Sequence, residues 1–406
     1  MESIQAARLK SCRVRRFMKG KTMHYRLGRS FWATLCILSL LLVYPISGVR
    51  AQDRIKTDML LADIDRYAKM EEDSPSLAES IRDRIEENPA PIAKLLLPRI
   101  KQTELGERRL AIYVWALGLT KDAMAVDDII NLAKSNKPGT KSDLIHISCF
   151  KALAAIGGQK PGEFLLASLD TTPEETSRFG ILNLLGQMQY APALPKTIEL
   201  LKKDPRTFSW QSMLVFGKMG DKAVPFLLGK IGDQDLNVRG NAIYILGQWL
   251  IAPEATQPLQ DRFWKESELD IRGLILSSLE WMSGDLKMIK EFSEGVISKE
   301  KKKELVEFAS ETLKNLKKME ESVNSFKNSK KVSEKVFREE YEDLYKSAGK
   351  TGDYRNLSVT SKPEDEAKLK KLRERVLQRD SDEGFADYKK INEIIIFNRL
   401  MKNTKG

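Results

Sequence analysis

The strongest constraint on this chain is an apolar helix that keeps returning with a second helix behind it. From about Glu104, six segments each close on or near a glycine: 107–118 (ERRLAIYVWALG), 144–157 (LIHISCFKALAAIG), 176–186 (TSRFGILNLLG), 209–220 (SWQSMLVFGKMG), 238–247 (VRGNAIYILG) and 271–284 (IRGLILSSLEWMSG). The glycines, Gly118, Gly157, Gly186, Gly220, Gly247 and Gly284, are separated by 39, 29, 34, 27 and 37 residues. That spacing is the length of a helical repeat unit. A helix that ends on a left-handed residue tolerates glycine best, so each is expected to close its helix. A shorter amphipathic segment follows each one, and Pro192, Pro225 and Pro253 stand near the starts of three of these. A proline costs nothing in a first turn, where the missing N–H has no partner.

The pattern is clearest over 233–263. Val238, Ala242, Leu246 and Trp249 recur at helical spacing, and Ile245 widens the stripe. Asp235 and Asn237 stand just ahead as cap residues, and Ala255, Leu259, Arg262 and Phe263 form the face of the second helix. One such pair cannot bury both its faces, so it needs a similar pair on each side. No segment alternates with period two for long, so no significant sheet is expected. The fold class is all-α: an α-solenoid with an N-terminal helical cap over 52–103, repeats over 104–298 and a charged C-terminal helical region over 299–406.

VRGNAIYILG and MGDKAVPFLL resemble the two halves of the HEAT-like repeat, the short form also called the PBS-lyase type in bacteria. The resemblance covers Glu104 to Val296. It implies that an acidic–basic pair, Asp235 with Arg239 and Asp270 with Arg272, joins neighbouring repeats. It implies also that the second helices line a concave face on which partners bind. The sequence departs from the family pattern in its wandering repeat length, in repeats that lack the pair, and in an inserted loop, Ser135 to Asp143.

The ends differ from the middle. Residues 1–51 read as a secretory signal: a basic stretch, then Phe31 to Val43 without a charge, then Pro45 and Gly48 as helix breakers. Val49-Arg50-Ala51 places small residues for cleavage between Ala51 and Gln52. The apolar run is shorter than the roughly 20 residues of a membrane-spanning helix. The expected location is therefore periplasmic or secreted, with a membrane anchor facing the periplasm if the leader is retained. At the other end, Ala309, Thr312, Leu316, Met319, Val323 and Phe326 form a heptad-like seam, expected to pack on the solenoid or a local helix. A further amphipathic helix is expected over 333–347, a polar loop over 349–361 and a helix from Ser361 to about Gln378. A last helix over 383–403 is so apolar that it must dock, most simply on the helices before it in a small C-terminal domain.

Charge and cysteine usage narrow the function. The net charge of +11 suggests a nucleic-acid binder, but ten Lys/Arg and one acid lie within 1–51. That excess of 9 leaves +2 for the rest, and electrostatic binding to phosphate backbones loses its support. Beyond the leader there is one cysteine, Cys149, and one histidine, His146. An internal disulfide and a His-rich metal site are thereby excluded. The pair shares a helix face with Phe150 and Leu153, which reads as core rather than as nucleophile and base. No cofactor site, phosphate loop or matched acid–base pair is expected. Among the tryptophans of the repeats, Trp115, Trp210, Trp249 and Trp281 read as core. Trp264, at the end of a second helix, reads as a partner contact, with Lys202, Lys230 and Lys265 as a basic fringe. The expected function is a non-catalytic, exported scaffold or adaptor that binds another protein. The alternatives are a lyase-like enzyme or enzyme accessory, which the repeat resemblance brings in, and a membrane-tethered structural protein.

Overall fold

The computed structural model describes residues 54–102, 106–136, 143–282, 284–328, 363–378 and 382–403. Ala51 and Gln52, most of the Ser135–Asp143 insert, and the segments 333–347 and 349–361 lie outside the described residues. The chain forms two compact units, Met1–Met59 and Leu60–Gly406. Residues 54–59 of the first are helical. Everything below concerns the second.

Every regular element among the described residues is helical. In this unit helix α1 covers 60–69, followed by α2 (Pro75–Glu87) and α3 (Pro89–Ile100). Six pairs come next: α4 (Glu107–Leu119) and α5 (Val126–Ser135); α6 (Asp143–Ile156) and α7 (Gln159–Thr171); α8 (Glu175–Gln187) and α9 (Ala193–Lys203). Then come α10 (Pro205–Met219) and α11 (Val224–Leu228); α12 (Leu236–Tyr244) and α13 (Thr256–Lys265); α14 (Leu269–Met282) and α15 (Leu286–Lys299). Helix α16 (Lys303–Asn328) takes the place of the next first helix, against α14 and α15. Each first helix packs on the first helix of the following pair, which is the stacking of a solenoid. Aspartates cap several starts: Asp204 accepts from Thr207 N–H, Asp235 from Asn237 and Val238 N–H, and Asp285 from Met288 N–H.

The repeat is more regular than the glycine spacing implies. One residue just past each first helix has positive φ: Lys121 (53°), Gly157 (74°, followed by Gly158 at 95°), Gln189 (52°), Gly220 (58°), Ile251 (45°) and Gly284 (59°). They are separated by 36, 32, 31, 31 and 33 residues. Only three are sequence-selected glycines. The other three of that set, Gly118, Gly186 and Gly247, lie inside or at the edge of the helical run. There a Cβ would crowd Ala152, Val215 and Ser278 of the next first helix. Three glycines thus end helices and three let helices approach, and mixing the two roles made the spacing wander. Ile251 is the outlier, since a β-branched residue rarely adopts positive φ. It follows a π-helical turn over Ile245–Trp249, which carries one residue more than an α turn would.

Two core expectations need correcting. Trp249 is buried, but Trp210 and Trp281 are 47% and 50% exposed, as much as Trp264 at 45%. Their helices are apolar nearly all round, so the stripe alone did not tell an inward ring from an outward one. The C-terminal helices also do more than form a local domain. Helices α17 (Pro363–Leu377) and α18 (Asp382–Asn403) pack on each other, and α17 also lies against α10. On α16, Leu305, Ala309, Thr312 and Leu316 of the seam side are buried, while the side chains of Val323 and Phe326 lie outside the described residues.

Candidate interaction surfaces

Helix C-termini leave carbonyls without intrahelical partners. Here the α17–α18 hairpin supplies them. Tyr388 Oη and Asn392 Nδ2 donate to the Trp249 carbonyl at 2.6 and 2.8 Å. Arg373 Nη1 donates to the Leu250 carbonyl at 2.7 Å. Arg399 Nη1 donates to the carbonyls of Ile251 (2.8 Å) and Met282 (2.6 Å), while its other nitrogens hold Glu366. Asn403 Nδ2 reaches the Gly284 carbonyl at 3.1 Å, and Gln189 Nε2 donates to Glu374 at 3.2 Å. The hairpin is thus a strap across the ends of successive first helices. Tyr388 stacks on Trp249 with ring centroids 4.6 Å apart, and burial pushes its phenol up to about 12. Gly217 leaves the room that Trp249 and Leu377 occupy. Between strap and repeats a groove of about 560 Å³ is lined by Asp221, Lys222, Glu254, Lys370 and Lys402 among others. Its charges are of both signs, and Lys370 pairs with Asp221 at 3.0 Å.

The residues expected to join repeats divide their work differently. Arg239 does reach the next repeat, but its partner is Glu266, at 2.8 Å, with further bonds to the Asp233 and Gln234 carbonyls. Arg272 does the same with Glu300 and lies 4.4 Å from the Phe263 ring centroid. Asp235 is spent as the cap of α12, and Asp270 is an exposed residue in the first turn of α14. An aspartate at a helix start meets N–H groups of its own turn first, which leaves a longer glutamate from the following turn to span the gap. Burial raises the Glu266 carboxyl, but Arg262, the Glu268 N–H and Arg239 outweigh it and hold the group below its ordinary range. Glu300 is held low in the same way, by backbone N–H groups and Arg272 against the cost of burial.

On the second helices, the Trp264 ring rests edge-on against Phe263, with centroids 5.0 Å apart, and near Phe292 at 6.1 Å. Lys299 Nζ lies 5.8 Å from the Trp264 ring centroid. The expected basic fringe is not uniform. Lys202 and Lys230 both bind Asp233, at 3.1 and 3.4 Å, and Lys230 also lies over Phe226. Lys265 is exposed beside Trp264 and forms no ion pair among the described residues. The structure therefore leaves Trp264 and Lys265 open and ties up the other two. Sequence reading did not bring out Lys299; its place four residues before α16, two turns past Phe292, was the available signal.

His146 Nδ1 faces the carbonyls of Asn136 (2.8 Å) and Ala133 (3.2 Å), and its ring packs on Phe150 at 4.3 Å. Cys149 is fully buried, and burial pushes its thiol up to about 12. A thiol so far from ionising is not a nucleophile near neutral pH. Among the described residues no group of three or more His, Cys, Asp and Glu side chains is arranged to hold a metal, and no helix is long and apolar enough to cross a membrane.

The match to a family model agrees with the repeat geometry. Residues 194–280 match the family model for HEAT repeats, so α9 to α14 form a HEAT-repeat array. A solved complex of CpcE and CpcF of phycocyanin lyase from Nostoc sp. PCC7120 is similar at 16% identity and a TM-score of 0.29, over 55% of this chain and 94% of that one. No curated protein matches the sequence.

Proposed function

We propose that this chain is an exported, non-catalytic scaffold that holds a protein partner on the second-helix side of its repeats. The observation that carries this reading is Trp264, a large ring 45% exposed yet fixed in place by Phe263 and Phe292. A rigid aromatic loses little freedom on binding and buries much area, which is the usual make-up of an interface anchor. Among the described residues the strap's hydrogen bonds run to the ends of the first helices and not to Trp264 or Lys265. The inert Cys149 and the satisfied His146 ring favour binding over catalysis. Export rests on the leader, with a mature chain beginning at Gln52.

Trp264→Ala is expected to reduce partner capture in cells at least ten-fold while shifting the melting temperature by no more than ~2 °C, since a half-exposed side chain carries little of the core. Unchanged capture, or a collapse of stability, would remove Trp264 from the interface. The mass of the protein recovered outside the cytoplasm tests export: an intact 1–51 segment would argue for a tether instead.

A further inference from the structure

We infer that the surface formed by the C-terminal ends of α13 and α15 and the turn into α16 is a docking site for an acidic protein segment with an apolar side chain at its centre. This rests on the scaffold reading and names the chemistry of the partner. The surface is continuous through its contacts. Trp264 sits on Phe263; Arg272 lies over the other ring, Phe263; Glu300 holds Arg272 and accepts the backbone N–H groups of Lys301 and Lys302. Glu300 is thereby used up inside, and the lysines around it are turned out. Lys265, Lys299, Lys301 and Lys302 are all exposed, and none forms an ion pair among the described residues.

Helix-end electrostatics accounts for part of this cluster. Lys265 and Lys299 stand in last turns, where the carbonyl end of a helix favours a cation. It gives no reason for Lys301 and Lys302, which lie past α15 and ahead of α16. The nearby exposed carboxylates, Glu268, Asp270 and Glu304, number three against these four lysines and leave a positive surplus. Since the chain beyond the leader carries only about +2 in all, the cluster is a local feature rather than a share of a basic surface. An exposed ring for apolar contact, with the Lys299 ammonium 5.8 Å away and exposed lysines on the adjoining helix ends and turn, complements carboxylates flanking an aromatic or aliphatic side chain.

The test uses the full chain, tagged at its C-terminus, and fluorescence anisotropy with a pool of labelled dodecapeptides in which Asp and Glu flank a central Leu-Phe. A second pool has Lys in place of each acid, and phosphatidylglycerol vesicles are the third ligand. The acidic pool is expected to bind, and the basic pool not. The triple variant Lys299→Gln, Lys301→Gln, Lys302→Gln should weaken binding at least ten-fold with an unchanged melting temperature; Trp264→Ala should do likewise. Equal binding of both peptide pools, or binding of vesicles alone, overturns the proposal, the latter in favour of an anionic membrane surface. A photo-reactive phenylalanine analogue at position 264 separates the two levels. A cross-linked protein without acidic-peptide binding overturns the partner chemistry and keeps the scaffold; neither signal overturns both.

Discussion

At the scale of the residue, stability depends on a few side chains that tie one repeat to the next. Arg239 and Glu266 are both nearly sealed from water, at 9% and 1% side-chain exposure. Removing one partner strands the other, which costs about 3–5 kcal/mol. Glu266→Gln is therefore expected to lower the urea midpoint sharply. The pH dependence has a definite sign. The folded carboxyls of Glu266 and Glu300 lie below their ordinary value of 4.5, so their contribution is complete above that value and is lost as pH falls through the depressed one. The urea midpoint should be flat from neutral pH to about 5 and fall below it, with a shallower fall in Glu266→Gln. Glycines give a contrasting pair. Gly180 is helical, exposed and has nothing near its missing Cβ, so Gly180→Ala should stabilise by about 0.5–1 kcal/mol. Gly247→Ala would drive a methyl into Ser278 and should destabilise by about 1–3 kcal/mol. The sequence singled out the six repeat glycines, Gly247 among them, but not Gly180. It did not show which ended a helix, because a left-handed residue and a close helix contact select the same side chain. The acid–base staple was half legible. The arginines stood out, while Glu266 and Glu300 were hidden by aspartates that had a nearer use, although each lies three residues ahead of the next first helix.

At the scale of the element, the strap decides how the later repeats behave. The helices themselves were readable, since apolar periodicity and capping residues are local. Their docking was not, because the bonds from strap to repeats join residues 117 to 185 positions apart and leave no mark on either segment alone. The heptad-like seam of α16 was equally local, and its partner turned out to be α14 and α15. Single substitutions on the strap should differ in size for a stated reason. Tyr388→Phe removes one of two donors to the Trp249 carbonyl and should cost about 1 kcal/mol. Arg399→Leu leaves the carbonyls of Ile251 and Met282 and the Glu366 carboxylate without it, and should cost several-fold more. Hydrogen exchange would locate the effect: in Arg399→Leu the amides of Leu250 and Ala252 should lose protection, whereas those of α4 and α6 should not change.

At the scale of the whole molecule, a stacked array joins each repeat only to its neighbours, so its stability is a sum of local terms. The strap breaks that rule here by binding the ends of α8, α10, the π turn and α14 together. The repeats under it should open as one block in hydrogen exchange, at a higher free energy than α4 to α7, which the strap's bonds do not reach. Separate opening of α10 and α14 in the wild-type chain would count against this. There is also a consequence in time. The repeats precede the strap in the chain, so they are synthesised, and if exported are delivered, before the side chains that cover their ends. Until then the carbonyls of Trp249, Leu250, Ile251 and Met282 lack these donors, and the left-handed Ile251 is held only by its own repeat. Assembly is thus a two-stage event: quick, neighbour-by-neighbour stacking, then a late closure over more than a hundred residues. Closure of so long a loop is slow, and a holding chaperone or a partner would find its opportunity in that interval.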